Sequence, residues 1–406
     1  MGVSIWEGSK AERVANALEI IAVANAKNID ITDMREVQEI VRAGKAAEFF
    51  NIGDQIDIVW KPDNTVETEY HIPFDVVDFG PATDPLGNVH TNAMWLQSHY
   101  ALTDIQFSGN NAFYVPVEAL PAGTYHFTMG DNWGNNVVKD KVYQFATTEE
   151  VPAGGQLVLG TATSNTSGLP DASPANWRVR TFTNGAQDTP TEILELTEGD
   201  GGTDLGTLSS STKYSESGIN NMQRSAYGYN RYAHSAIRQW LNSAAGKGGW
   251  WEQKNPFDHR PDQLATVQGF MAGLPQDFLQ IVKPVRIVTT LNTASDSEIG
   301  ASEAVNDKFF LASLQQEYIA PQAANVEGTA WAYWVERLDG VQHAQGTARP
   351  EHIRYAYENH TSAQHCRLRS AFRGAAFSAW LVLSSGGAYH IGATTASRAV
   401  PACAIY

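Results

Sequence analysis

The chain has 406 residues, more than one typical hydrophobic core supports, so two or three domains are expected. Its formal net charge of -16 argues against nucleic acid and anionic membranes as partners, because phosphate-rich surfaces require a concentrated cationic face. Two cysteines, Cys366 and Cys403, exclude a disulfide-rich scaffold. No segment reaches the roughly 18 apolar residues of a membrane-spanning helix, and the first residues lack the apolar core of a signal peptide. Synthesis in a cytoplasm without a signal peptide is therefore expected.

Two short amphipathic helices are predicted in residues 1–49. In the first, apolar residues recur three and four positions apart: Val14, Ala17, Leu18 and Ile21. In the second, Asp33 and Glu36 form a capping box, and Gly44 suits the left-handed position after a helix. Such short helices are marginal alone. They are expected either to dock on the next domain or to mediate self-association, with a trimer favoured, or attachment to a larger assembly.

From residue 50 to 205 the apolar period changes to two, which predicts a β-sandwich. Strands are predicted at 53–60, 65–79, 122–129, 140–147 and 155–162, with the second of these segments divided into two strands at Pro73. Residues 163–178 are expected to form a long surface loop. The Gly-rich segment 199–212 is interpreted as a linker, and a domain boundary is placed within it.

Residues 206–406 are predicted to be an α+β domain. Helices are expected at 229–246 and at 261–275, where Pro275 would end the second. Short strands are expected in segment 281–291 and in the aromatic-containing segments 307–313, 329–338 and 377–391. The chain as a whole is therefore predicted to be α+β and mostly β.

No phosphate-binding, hydrolase or zinc motif is found, and neither enzymatic activity nor a metal or cofactor is expected. Cys366 follows His365, but adjacent residues on a strand point to opposite faces, and Cys403 lies in an apolar context. Nothing in the sequence brings Glu317 and Glu327 together. Two groups of histidines could be interpreted as metal ligands: His71, His90 and His99 near Asp75 and Asp78, and His343, His352, His360, His365 and His390. The preferred interpretations are a solvated sheet surface for the first group and ordinary loop positions for the second.

The C-terminal segment 365–406 has an ordered skeleton: R-L-R-S, R-G, a Trp-centred strand, S-S-G-G, and S-R-A-V-P-A-C-A-I. Further landmarks lie upstream in YAHSAIRQWLN (232–242), NPFD (255–258) and DKFFLAS (307–313). Residues 206–406 thereby resemble the C-type-lectin-fold domains of phage and gut-bacterial proteins diversified by retroelements, and more narrowly a phage-associated family of unassigned function. The segment SIWEGSKAERVANAL (4–18) also resembles the start of tail or virion-surface proteins.

The resemblance implies a fixed scaffold with interleaved variable positions. The scaffold positions would be Leu368, Arg369, Ser370, Arg373, Gly374, Trp380, Gly386, Arg398 and Pro401. The variable, ligand-binding positions would be Phe372, Ala375, Ala376, Phe377, Ser378, Leu381, Leu383, Tyr389, His390, Gly392, Thr394 and Thr395. Trp380 is expected in the core, and the three arginines are expected to hold loops through carbonyl groups. Exposed Phe372, Phe377 and Tyr389 would anchor a ligand.

The sequence therefore predicts a non-catalytic receptor-binding protein on a phage or prophage virion surface, at the tail or capsid, made in the bacterial cytoplasm. It would adhere to a host-cell surface protein or glycan, contact virion proteins through its N-terminal helices, and gain avidity as a homo-oligomer. Two alternatives stay open. One is a structural virion decoration protein without a ligand. The other is an oxidase resembling the formylglycine-generating enzymes, which would use Cys366 and Cys403.

Overall fold

The computed structural model describes residues 34–109, 114, 116, 118–130, 139–153, 155–161, 177–182, 190–208, 228–252, 254, 260–293, 296, 300–324 and 326–406. Strand accounts for 38% of the structure and helix for 15%, so the predicted mostly-β class is confirmed. None of the helices in these ranges has the length and apolarity needed to cross a membrane.

The chain enters the described structure through two helices, α1 (Met34–Arg42) and α2 (Ala46–Phe49). Gly44 has the predicted left-handed conformation, with φ of 74°. The buried face of α1 packs on the main hydrophobic core, and the Gln38 side chain donates a hydrogen bond to the Tyr406 carbonyl oxygen at 3.1 Å. The second predicted helix thus docks within its own chain. The first predicted helix and Asp33 lie outside the described residues, and self-association stays a prediction.

A six-stranded antiparallel sheet forms the centre of the molecule, with the order β1-β2-β3-β22-β12 and with β15 also paired to β22. Its strands are β1 (Gln55–Trp60), β2 (Tyr70–Thr83), β3 (Val89–Ser98), β12 (Val282–Lys283), β15 (Phe310–Leu311) and β22 (Pro401–Ile405). The predicted break at Pro73 is wrong, because Pro73 stays in register opposite Asp57. Its missing amide removes one ladder position only, and its carbonyl accepts a hydrogen bond from the His99 amide at 2.8 Å.

A five-stranded sheet has the order β20-β19-β18-β21-β4. Its strands are β4 (Asp104–Gln106), β18 (Cys366–Ala371), β19 (Ser378–Val382), β20 (Ala388–Gly392) and β21 (Ala396–Arg398). Two further hairpins complete this part: β13 (Val285–Thr290) with β14 (Ser302–Asp307), and β16 (Arg354–Tyr355) with β17 (Ala363–Gln364).

The helical segments after residue 228 are shorter than predicted. They are α3 (Ala236–Leu241), α4 (Gln276–Ile281) and α5 (Ala332–Arg337), with 3₁₀ turns at Tyr232–His234, Asp262–Ala265, Phe270–Gly273 and Pro350–His352. The Ser235 hydroxyl caps α3 by accepting a hydrogen bond from the Arg238 amide at 3.2 Å, which fixes its start inside the predicted 229–246 helix. Residues 261–275 contain two 3₁₀ turns, and Pro275 precedes a helix. The strand predicted at 329–338 is wrong, since α5 lies there.

Residues 114–208 have a hydrophobic cluster of their own. One sheet has the order β10-β6-β5-β11 and the other β7-β8-β9. The strands are β5 (Gly123–Met129), β6 (Val142–Thr147), β7 (Gln156–Thr161), β8 (Trp177–Phe182), β9 (Glu192–Glu195), β10 (Thr197–Glu198) and β11 (Thr203–Leu208). Two sheets around one cluster are compatible with a sandwich. The predicted linker 199–212 contains β11, and most of the predicted 163–178 loop lies outside the described residues.

Strand pairing divides the chain differently from the predicted boundaries at 49/50 and 205/206. The pairs β3–β22 and β4–β21 place residues 34–109 and 228–406 around one core, with residues 114–208 inserted between them. The two ends of the insertion meet: a Cβ added at Gly228 would lie 3.2 Å from the Ser108 Cβ. Sequence periodicity indicates strands but not their partners, so it does not predict this non-local pairing.

This arrangement makes two truncations behave in opposite ways. A chain with residues 110–227 replaced by a short Gly-Ser linker keeps every strand pair of both main sheets and is expected to unfold in one cooperative transition. A 206–406 fragment loses β3 and β4 and is expected to lack a cooperative transition. Thermal unfolding followed by far-ultraviolet circular dichroism checks both, and a cooperative 206–406 fragment would contradict the core described above.

Candidate functional site

The predicted ligand-binding residues gather around the β18–β19 loop, strand β20 and the turn that follows it. Three rings form an aromatic strip, defined as Phe372, Tyr389 and His390. The Phe372 and His390 rings stack with centroids 3.8 Å apart and planes at 13°, and the Tyr389 and His390 rings stack at 5.0 Å and 10°. Tyr389 is 54% exposed, while the other two rings are half-buried. The Trp380 and His390 rings form a T-shaped pair with centroids 5.4 Å apart.

Burial separates the twelve predicted positions into two groups. Exposed or partly exposed side chains are those of Phe372, Phe377, Leu383, Tyr389, His390, Thr394 and Thr395, together with the backbone of Gly392. The prediction is wrong for four buried residues: Ala375, Ala376, Ser378 and Leu381. Ser378 and Leu381 lie on β19, which is covered by β18 and β20 on its two edges and packed on both faces. These four side chains cannot touch a ligand on this surface.

Four of the nine predicted scaffold residues, Trp380 and the three arginines, make the structural contacts expected of them. Trp380 is 4% exposed and belongs to the core. Arg369 donates to the carbonyl oxygens of Leu311 at 2.8 Å and Glu327 at 2.7 Å. Arg398 and Arg373 also donate to carbonyl oxygens, those of Leu102 at 2.9 Å and Ala301 at 3.2 Å.

Asn230 holds the β18–β19 loop from the buried side of that loop, and no feature of the sequence indicated this role. It is completely buried, and its side-chain amide nitrogen lies 3.0, 2.8 and 2.6 Å from the carbonyl oxygens of Phe372, Ala375 and Ser378, so its two hydrogens serve three acceptors. Its own backbone amide donates to the Ala376 carbonyl oxygen at 2.7 Å. One side chain therefore sets the path of the loop that carries Phe372.

Arg367 has the same role beneath the turn after β20. Its guanidinium is 1% exposed and donates to four carbonyl oxygens: those of Ala379 at 3.0 Å, Ile391 at 3.3 Å, Gly392 at 3.2 Å and Thr395 at 2.9 Å. Burial lowers its pKa to about 9. Arg367 stands two residues before Arg369 in the sequence, and residues two apart on a strand share a face. This spacing could have indicated that Arg367 has a scaffold role like that expected of Arg369.

The aromatic strip above these two residues contains no Asp, Glu, Lys or Arg side chain. Burial lowers the pKa of His390, so its ring is neutral at pH 7. At the border of the strip, the Gln322 side-chain oxygen accepts hydrogen bonds from the Arg373 amide at 2.8 Å and the Trp380 indole at 3.3 Å. The arrangement offers ring faces and hydroxyl groups, which suit stacking and hydrogen bonding.

The two cysteines do not form a joint site. Cys366 lies on β18 and Cys403 on β22, in different sheets, and both thiols are free and buried. Burial raises the pKa of Cys366 to about 12 and raises that of Cys403 further. Both therefore stay protonated at physiological pH, and a protonated thiol is a poor nucleophile and metal ligand.

The histidines considered as metal ligands have other partners. His71, His90 and His99 each pair with one aspartate: Asp57 at 2.5 Å, Asp84 at 3.3 Å and Asp75 at 3.0 Å respectively. In the part of the chain that the structure describes, no three His, Cys, Asp or Glu side chains converge as a metal site would require. Glu317 and Glu327 are buried and have separate partners, Gln97 for the first and the Thr290 amide for the second.

Comparison with known proteins gives one result. Residues 207–405 match the model of a family described as a domain of unknown function (DUF6273). No curated protein and no solved structure matches the chain. The matched range contains the entire aromatic strip and Asn230, but not β1–β4, which complete both main sheets.

Replacing Asn230 with alanine is expected to lower the free energy of unfolding by roughly 2 to 3 kcal/mol, because buried carbonyl groups lose their donor. Chemical denaturation measures this change. Asn359→Ala is the matched control, since Asn359 is exposed and holds only its local turn. Equal destabilisation by the two variants would contradict the role assigned to Asn230.

Both thiols are expected to resist a thiol-specific reagent at pH 8 in the folded protein and to react fully in denaturant, because the burial that raises their pKa also blocks access. Titration with a chromogenic disulfide reagent counts the reacting groups. Rapid reaction of either thiol in the native protein would show that the site is more open than described.

Proposed function

We propose that this protein is a non-catalytic recognition protein that uses the aromatic strip to adhere to a bacterial surface molecule. The observation that carries the proposal is the strip itself: stacked Phe372, His390 and Tyr389, with Tyr389 54% exposed. Aromatic side chains on a rigid support provide contact area at a small loss of conformational entropy, and they are frequent anchors of binding surfaces.

The support beneath the strip strengthens this proposal. Asn230 and Arg367 hold the two flanking segments through backbone carbonyl groups, so the loops are ordered before a partner arrives. A preordered surface avoids part of the entropy loss on binding. The resemblance to retroelement-diversified, C-type-lectin-fold phage proteins supplies the setting: a virion surface, with oligomerisation adding avidity to weak contacts.

The alternatives differ in what they require. An oxidase resembling the formylglycine-generating enzymes requires both cysteines in one open cleft, and here the two buried thiols lie in separate sheets. A decoration protein requires no ligand, and this alternative gives no reason for the exposure of Tyr389. The strip favours adhesion over both.

Replacing Tyr389 with alanine is expected to weaken binding by at least about tenfold, because truncating an interface anchor removes more than 1.4 kcal/mol. The measurement is flow cytometry of the fluorescently labelled protein on a panel of bacterial strains. Prior treatment of the cells with protease or with periodate then distinguishes a protein receptor from a glycan.

Tyr355→Ala is the matched control, because Tyr355 is also exposed, at 40%, but lies on β16 away from the strip. It should bind as the wild type does. Absence of binding to every strain would favour the decoration protein, and equal loss of binding in both variants would remove the strip from the proposal.

A further inference from the structure

Two buried histidines pin an exposed loop beside the aromatic strip. His343 and His352 are 3% and 0% exposed, whereas the intervening residues 344–350 are exposed or half-buried. The two rings lie 5.1 Å apart at 62°, and the His352 ring also stacks on Trp334 of α5 at 4.6 Å. The loop is thus fastened into the core at both ends.

Both rings are neutral in this arrangement. The His352 Nε2 lies 2.8 Å from the Glu317 carbonyl oxygen, which fixes the proton on that nitrogen. The His352 Nδ1 and the His343 Nε2 are buried and have no hydrogen-bond partner among the described residues. A proton added to either nitrogen would create a cation in a water-poor environment, and its new N–H would have no hydrogen-bond acceptor among the described residues.

The charged groups around the pair act in both directions, and burial remains the largest cause of the lowered pKa of each ring. Within the loop, Arg349 opposes protonation of His343, while Glu351 favours protonation of both rings. Arg354 of β16 and the His343 ring both oppose protonation of His352. A small enclosed cavity beside His352 is also lined by Glu317, Arg367, Cys366 and Gln97. Glu317 is the acidic group there, and burial raises its pKa, which favours its neutral form.

The pinned loop is connected to both sides of the aromatic strip. The Gly346 amide donates to the Ala388 carbonyl oxygen at 2.9 Å, directly before Tyr389 and His390. A Cβ added at Gly386 would lie 1.8 Å from the Arg349 carbonyl oxygen, so the loop backbone rests directly on the β19–β20 turn.

A second connection runs through the segment beside His343. The Ala320 amide donates to the His343 carbonyl oxygen at 2.7 Å, and two residues later Gln322 accepts the hydrogen bonds from Arg373 and Trp380. Release of His343 would therefore loosen the support of the β18–β19 loop as well.

We propose that His343 and His352 form an acid-sensitive latch, which holds the 343–352 loop against the aromatic strip while neutral and releases it when protonated. The strip is ordered with the latch closed and loses its support with the latch open. For a bound ligand this means release in acid, a consequence that rests on the proposed adhesion function.

The sign follows from burial. Burial lowers the pKa of His352 from 6.5 to about 4 and lowers that of His343. The open state therefore binds more protons, and the closed state loses stability as the pH falls below 6.5 toward 4. For His352 alone, those two pKa values shift the opening equilibrium about 20-fold toward the open state between pH 7 and pH 5.

Hydrogen exchange of the full chain, followed by mass spectrometry at pH 7 and pH 5 and corrected for the intrinsic rates, tests the latch without any ligand. Peptides covering 340–352 and 386–395 should exchange about 20-fold faster at pH 5 than at pH 7. Peptides from β2 and β3 should keep their protection. Unchanged exchange in the loop peptides, or equal loss of protection in β2 and β3, would overturn the latch.

Two variants assign the effect to the pair. His352→Gln keeps an N–H donor for the Glu317 carbonyl oxygen but does not titrate, so most of the acid response should disappear. His360→Gln, at an exposed histidine on the 357–362 turn, should respond as the wild type does. An identical acid response in all three proteins would overturn the assignment.

If His352→Gln does not fold, the titration of His352 in the wild type decides. Histidine-labelled protein should show a resonance that titrates well below 6.5, together with a shift of Tyr389. An ordinary titration near 6.5 with an unchanged Tyr389 resonance would overturn the proposal. Because neither readout uses a ligand, failure of the latch and failure of the adhesion proposal are separate results.

Discussion

The pairing of β22 with β3 is the contact on which the rest of the molecule depends. Strand β22 (Pro401–Ile405) is buried along its whole length, and Ala402 lies opposite Gln97 while Ile405 lies opposite Met94. On its other edge β22 also pairs with β12 and β15. About 300 residues separate the two strands along the chain. Closing so long a loop is entropically unfavourable, so the large apolar core around these strands has to offset that loss.

The same pairing explains why a large insertion is tolerated. Residues 34–109 and 228–406 complete each other's sheets, while the chain leaves at Ser108 and returns at Gly228, which are neighbours in space. The folded unit at 114–208 has a hydrophobic cluster of its own. Insertions with adjacent ends disturb a host domain little, because the host backbone is hardly displaced.

The aromatic strip is shaped from beneath by buried polar groups of two kinds. Arg367 and Asn230 are permanent supports, because a guanidinium pairs with several carbonyl groups at any physiological pH and a side-chain amide does not titrate. His343 and His352 are conditional supports, since imidazole changes its charge near neutrality. The two kinds of side chain stabilise this surface in different ways. The first sets the paths of its loops, and the second makes part of that order depend on pH.

The sequence by itself determined the mostly-β class, the period-two strands at 55–60, 123–129, 142–147 and 156–161, and the C-terminal cap at Gly44. The family resemblance also implied a scaffold role for Arg369, Arg373, Trp380 and Arg398. These features are local, because alternation and capping are written within a few consecutive residues.

The tertiary structure alone decided which strands meet, which of the twelve candidate side chains are exposed, and what lies under them. The resemblance implied that Ala376 and Leu381 are ligand-binding positions, but both side chains are buried. Asn230 is about 140 residues from the loop that it holds, and no local sequence pattern predicts a contact over that distance. Burial and partnership are properties of the folded chain, because they arise from contacts between residues that are distant in sequence.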